Sequence, residues 1–312
     1  MKKLVRASIQ IVFSELLTLK FCLWAVGWIG RFLFGKRLST IVLFYPANRR
    51  YMESVTFAWY ARRVKWRPTF GGFFMTPDGG GLIFAMGAFE HEFADAENRR
   101  KLLAVHQRMD AVAKLTGIDA IAYSGVLPSV LAKSGVEREP IELARTAWWI
   151  IQAIDEVIIE ASLPAHCPVV ILGSAGFLGR RVIQLLHDRP DLTVFEIDPE
   201  HPDDTCRDGA TLQSLAGRPA LIVNISRHHV MERYIGELWD GSVVLNEVYP
   251  ECSPESIVAL KKRGVRYFHL QGVRAWSMPR FPGAYAGAVP CCAASAASPS
   301  SRNQAELKLL EK

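Results

Sequence analysis

The chain is predicted to be an α/β protein of two domains. The C-terminal domain carries a Rossmann-type parallel sheet, the N-terminal one is smaller, and an amphipathic helix precedes both. Three observations predict this. From Pro168 onward, short apolar runs alternate with helix-length segments. A glycine-rich turn, Gly173-x-x-Gly176-x-x-Gly179, joins the first run to a helix. Finally, 312 residues, 50% hydrophobic and 22% charged, supply apolar material for two cores.

Residues 1–38 carry Lys2, Lys3, Arg6, Lys20, Arg31, Lys36 and Arg37 against a single acid, Glu15. On one continuous helix, Lys2, Arg6, Lys20, Gly27 and Arg31 share a narrow stripe, and the remaining circumference is Leu, Ile, Val, Phe and Trp. Such a helix suits a bilayer interface. Burial against the rest of the protein, or against a second copy in a homo-oligomer, suits it equally. Glu15 and the lack of a small-residue cleavage site argue against a signal peptide, and Lys20 and Arg31 interrupt any span.

Residues 39–163 form the expected N-terminal α/β domain. Ser39 to Tyr45 reads as a strand and Tyr51 to Val64 as a helix. The Pro77-Asp-Gly79 turn between apolar runs predicts a hairpin. Leu102, Val105, Met109, Val112 and Ala113 follow a helical period that Gly117 closes. Ile118 to Ala122 is a strand, and a long helix runs from about Glu139 to Ala161. Residues 164–293 form the nucleotide-binding domain, with strands at Val169, Thr193, Ala220, Ser242 and Val265. Residues 294–312 read as a flexible tail.

Other classes are excluded. Gly 23 and Pro 17 are ordinary, so the chain is neither collagen-like nor of low complexity. Six Cys without regular spacing make no disulfide framework, in keeping with a reducing cytoplasmic setting. The net charge of +6 is concentrated at the N-terminus, with no recognition motif, and nucleic acid is not an expected partner. No HExxH, CxxC pair or Ser nucleophile elbow is present, and no metal site is expected.

The glycine motif carries the most specific chemistry. Gly173, Ser174, Ala175, Gly176, Phe177, Leu178 and Gly179 follow an apolar strand and open a helix. Gly173 makes the tight turn, Gly176 lets backbone amides approach a pyrophosphate, and Gly179 allows the helix to pack close to the strand. About 20 residues on, Asp198, with Glu196 as second choice, is placed to accept ribose hydroxyls. An acid there favours NAD over NADP, whereas Arg180 and Arg181 would suit a 2′-phosphate. Asn224 and Ser226 end the third strand, where they either touch the nicotinamide ribose or cap the next helix. His228 and His229 are surface residues or a general acid/base. Cys291 and Cys292 follow a small-residue segment and are either buried apolar packing or a thiol nucleophile.

The run Gly117-Ile-Asp-Ala-Ile-Ala-Tyr-Ser-Gly-Val-Leu-Pro-Ser129, the Gly173–Gly179 loop and Val243-Val-Leu-Asn-Glu-Val-Tyr-Pro250 resemble the cyanobacterial long-chain acyl-ACP reductases. That family is related in fold to shikimate and methylene-tetrahydrofolate dehydrogenases. The resemblance covers roughly residues 66–295. It implies NAD(P)-dependent reduction of a fatty acyl thioester to an aldehyde, with Cys291 or Cys292 forming the thioester. Two alternatives stand beside it. One is a shikimate- or folate-type dehydrogenase acting on a small anionic substrate without a covalent step. The other is a non-catalytic, membrane-associated NAD-binding protein.

Overall fold

The computed structural model describes residues 2–34, 38–138, 140–198, 210–281, 286–294 and 307–311. The chain divides into two units, Met1–Arg145 with Val273–Glu306, and Thr146–Gly272 with Leu307–Lys312. This moves two of the expected boundaries. The first falls at 145/146, inside the long helix, and the chain returns to the first unit at Val273, well before residue 293.

In the first unit, α1 (Lys2–Leu17) and α2 (Lys20–Phe34) precede β1 (Leu38–Phe44), α3 (Arg49–Val55), α4 (Ala58–Arg63), β2 (Thr69–Thr76) and β3 (Gly79–Ala85). Then come α5 (Arg99–Thr116), β4 (Ala120–Tyr123), α6 (Leu127–Lys133) and the start of α7 (Ile141–Glu160). The expected single N-terminal helix is therefore two. They meet at Thr18–Leu19 with an 89° bend, so no common stripe runs from Lys2 to Arg31. No single helix among the described residues is long and apolar enough to cross a membrane, although the two together pass that test as a bent pair. The helix expected over 51–64 is likewise broken, because Thr56 and Phe57 both adopt extended backbone.

The hairpin forms on a turn of Pro77 and Asp78, with Thr76 paired to Gly79. Its glycines belong to β3 and are required by packing: a Cβ on Gly81 would lie 2.1 Å from the Thr40 carbonyl oxygen. Parallel pairing of β3 with β1 and of β1 with β4 extends the hairpin to the order β2-β3-β1-β4. One face packs Leu43, Leu82 and Phe84 with Leu102, Val105 and Met109 of α5. Gly117, at φ +66°, ends α5 as its period predicts. Past the second unit the chain adds β10 (Trp276–Met278), antiparallel to β2, and β11 (Ala288–Val289), antiparallel to Val273–Arg274. The pairing of β10 with β2 ties the segment after 272 to the first unit.

The second unit contains the rest of α7, β5 (Pro168–Leu172), α8 (Phe177–His187), β6 (Thr193–Ile197), α9 (Ala210–Leu215), β7 (Ala220–Asn224), α10 (His228–Tyr234), β8 (Ser242–Asn246), α11 (Pro254–Lys262) and β9 (Arg266–Arg274). Strands β6-β5-β7-β8-β9 are parallel neighbours in that order. In sequence order this is 2-1-3-4-5, a doubly wound arrangement whose switch point lies between β5 and β7. The central strands β5, β7 and β8 carry unbroken apolar runs because both faces are covered. Val170, Ile222, Val244 and Tyr267 are wholly buried, with Leu212, Met231 and Leu260 of the helices packed among them. Of the expected tail, 295–306 lies outside the described residues. Leu307–Glu311 is a strand, β12, paired with β9 and fixed by the Arg266–Glu311 ion pair at 2.6 Å.

Candidate functional site

Dinucleotide chemistry in a doubly wound sheet is expected at the carboxyl end of the strands, at the switch point. The glycine motif stands there. Gly173 takes φ +102°, and a Cβ on it would come within 2.9 Å of Ser226 at the end of β7. The amides of Gly173 and Ser174 donate to the Ile197 carbonyl at 2.8 and 3.3 Å, tying the loop to β6. Gly176 is the N-cap of α8 and offers no side-chain cap to its first turn. A Cβ on Gly179 would sit 2.0 Å from the Gly173 carbonyl oxygen, so only glycine lets the helix approach the loop. The result is a backbone cradle at a helix N-terminus, the geometry that receives a pyrophosphate. Phe177 and Leu178 supply the next amides, and Phe177 is 51% exposed.

The two acids part company. Asp198 is buried and accepts from the Ala175 amide at 2.9 Å, which braces the loop from inside. Glu196 instead lines a cleft of about 360 Å³ together with Ser174 and Ala175 of the loop. Arg180, Ile183, Gln184 and His187 of α8 complete its wall. His187 Nε2 lies 3.7 Å from Glu196, and Arg180 Nε donates to the Ala175 carbonyl at 2.9 Å.

Asn224 does not cap the next helix. It is wholly buried, donates to Asn246 Oδ1 at 2.7 Å and accepts from the Ser226 amide at 3.3 Å, while Arg227 is the N-cap of α10. Its role is to join β7 to β8. Asn246 extends the network, donating to the Val248 carbonyl at 2.8 Å beside His269 Nδ1. The Tyr249 ring meets His269 edge-on at 4.6 Å, and Glu251 lies 3.8 Å from its Nε2. This network holds the segment that follows β8.

The sequence reading missed the residue that this segment presents. Glu247 keeps some surface yet sits deep among protein atoms, and burial pushes its carboxyl up to about 8. Its amide donates to the Asn224 carbonyl at 3.1 Å. A carboxyl that is protonated near neutrality at the carboxyl end of a parallel sheet is suited to proton transfer. Its position one residue past a parallel strand was the available signal.

The thiols lie in the first unit. Cys291 is 5% exposed and buried, whereas Cys292 is partly exposed. Cys292 is within electrostatic reach of Tyr45 and Arg145. The Tyr45 hydroxyl accepts from the Val126 amide at 3.1 Å, and burial, reinforced by Glu90, raises it well above the ordinary phenol range. Burial lowers the Arg145 guanidinium, with Cys292 acting in the opposite sense, and Arg145 donates to Thr40 Oγ1 at 3.0 Å. Neither Tyr45 nor Arg145 stood out in the sequence, since Tyr45, just past β1, and Arg145, in α7, lie 247 and 147 positions before Cys292.

The chain matches no protein-family model and no curated protein. Among solved structures it is similar to glutamate dehydrogenase from Peptoniphilus asaccharolyticus, at 12% identity over 74% of this chain and 65% of that one, with a TM-score of 0.37. It is also similar to the NAD-dependent malic enzyme of Thermotoga maritima, at 13% identity over 77% and 68% of the two chains, TM-score 0.35. A third similarity is to L-tryptophan dehydrogenase from Nostoc punctiforme, at 11% identity over 74% and 69%, TM-score 0.32. The chain thus spans just under two thirds of the first of these.

Proposed function

We propose that this protein is a nicotinamide-nucleotide-dependent oxidoreductase. The glycine cradle at the β5/β7 switch point carries the proposal. Gly173 and Gly179 occupy positions where a side chain would meet backbone or Ser226, and no helix cap competes for the α8 amides. These residues fit a dinucleotide, with the pyrophosphate on the loop and the adenosine end toward the Glu196 cleft. Glu196 opposes a 2′-phosphate, so NAD is preferred to NADP. Titration of the protein with NADH and NADPH, followed by nucleotide fluorescence, tests this. Tighter NADH binding is expected, and binding of neither nucleotide would overturn the proposal.

For the reaction, we propose reduction of an acyl thioester with Cys292 as the acceptor thiol, because Arg145 and Tyr45 lie within electrostatic reach of it and Cys291 is buried. Transfer of the acyl group to Cys292 releases the carrier thiol. A nicotinamide nucleotide held on the glycine loop would supply the hydride that, with one proton, releases the aldehyde and restores the Cys292 thiol. Acyl-thioester-dependent oxidation of NADH should vanish in Cys292→Ala and persist in Cys291→Ala. Glu247 supports a second reading, direct oxidation or reduction of a small anionic substrate with this carboxyl exchanging the proton. In that case both cysteine variants stay active and Glu247→Gln does not.

A further inference from the structure

The two N-terminal helices are amphipathic in the reverse of the usual sense. On α1 the small and polar residues Ala7, Gln10, Ser14 and Thr18 recur at helical spacing and face the protein. Gln10 donates to the Gly71 carbonyl at 3.0 Å, and Thr18 Oγ1 accepts from the Phe70 amide at 2.8 Å, so this polar stripe is hydrogen-bonded to β2. On α2 the inward stripe is Leu23, Gly27 and Gly30, and a Cβ on Gly27 would lie 2.3 Å from the Thr116 carbonyl oxygen of α5. Leu17, Leu23 and Val26 pack against the core, whereas most of the large apolar side chains point away. Ile9, Val12, Phe13 and Leu16 form the outer stripe of α1, each more than half exposed. Phe21, Trp24, Trp28 and Phe32 form that of α2, with Phe21 at 75% and Phe32 at 77%. Leu16, Leu19 and Phe21 are all exposed, so the apolar band continues around the corner.

We infer that this band is a docking face for an anionic lipid bilayer, entered from the surface by the two bent helices. An exposed apolar stripe of this extent is unfavourable in water and matches the acyl boundary of a membrane, where Trp is also favoured. Charge identifies the occupant. Residues 1–38 hold seven basic residues and one acid, and that acid, Glu15, is ion-paired with Arg67. Such a segment is attracted to anionic headgroups. A second copy would set two equally basic segments against each other. The two helices bring their own polar contacts to the protein, so docking requires no unfolding of the first unit.

The test uses the full chain and vesicles of phosphatidylcholine with and without phosphatidylglycerol. Flotation with the anionic vesicles, weakened by salt and by omitting phosphatidylglycerol, is expected. Brominated acyl chains should quench tryptophan fluorescence in the wild type, and Trp24→Phe/Trp28→Phe should float while losing most of that quenching. The double variant Trp24→Gln/Trp28→Gln should partition about tenfold less or weaker still. Its circular dichroism and NADH titration should be unchanged, because both rings are half exposed. Failure of the wild type to float, or equal flotation of the Gln variant, overturns the inference. So does a dimer that the Gln variant dissociates and that leaves vesicles untouched. None of these results bears on cofactor binding.

Discussion

Replacing Glu247 by Gln should make the protein more stable at alkaline pH and change it little near pH 5. The native carboxyl is raised from its ordinary 4.5 to about 8 by burial. Below about 4.5 both folded and unfolded chains hold the proton. Between 4.5 and 8 the unfolded chain has released it and the native chain has not, so stability falls as pH rises through this window. The full difference corresponds to at most ~5 kcal/mol. Because the side chain keeps part of its surface in water, we expect about 2 kcal/mol. A glutamine carries no such penalty at any pH. Thermal unfolding of the two proteins side by side should separate their midpoints by about 4–8 °C near pH 8.5, with the gap closing toward pH 5. A gap independent of pH, or a wild type more stable than the variant at high pH, would refute the reasoning.

Other outcomes follow from the same contacts. Gly179→Ala should cost about 1–3 kcal/mol in denaturant unfolding and weaken NADH binding, since the new methyl meets the loop backbone. Gly236→Ala, with open space around it, should leave NADH binding intact. Asn246→Leu should cost about 2–4 kcal/mol in the same unfolding assay, because the Asn224 amide and the Val248 carbonyl both lose their partner. Tyr45→Phe removes the acceptor of the Val126 amide and should cost about 1–2 kcal/mol.

Much of this architecture is local and therefore legible along the chain. Gly117 closes α5 because a left-handed residue ends a helix, and the Pro77-Asp78 turn pairs β2 with β3 because its geometry fixes register. The glycine loop is legible for the same reason: two close approaches, at Gly173 and Gly179, demand glycine within seven residues. The roles of its neighbours were less so. Asp198 and Asn224 are polar and end strands, and only the structure shows that one accepts from the Ala175 amide and the other donates to Asn246.

From the sequence by itself came the α/β class, the glycine cradle and the basic, apolar character of residues 1–38. Tertiary structure decided what depends on residues far apart in the chain. Burial raises Glu247, a fold that returns at Val273 brings Cys292 to Tyr45 and Arg145, and the packing of α1 and α2 leaves Phe13, Phe21, Trp24, Trp28 and Phe32 exposed. Periodicity records that a helix has two faces. Which of them meets the protein depends on the surface it packs against, and here the sheet and α5 accept the small and polar one.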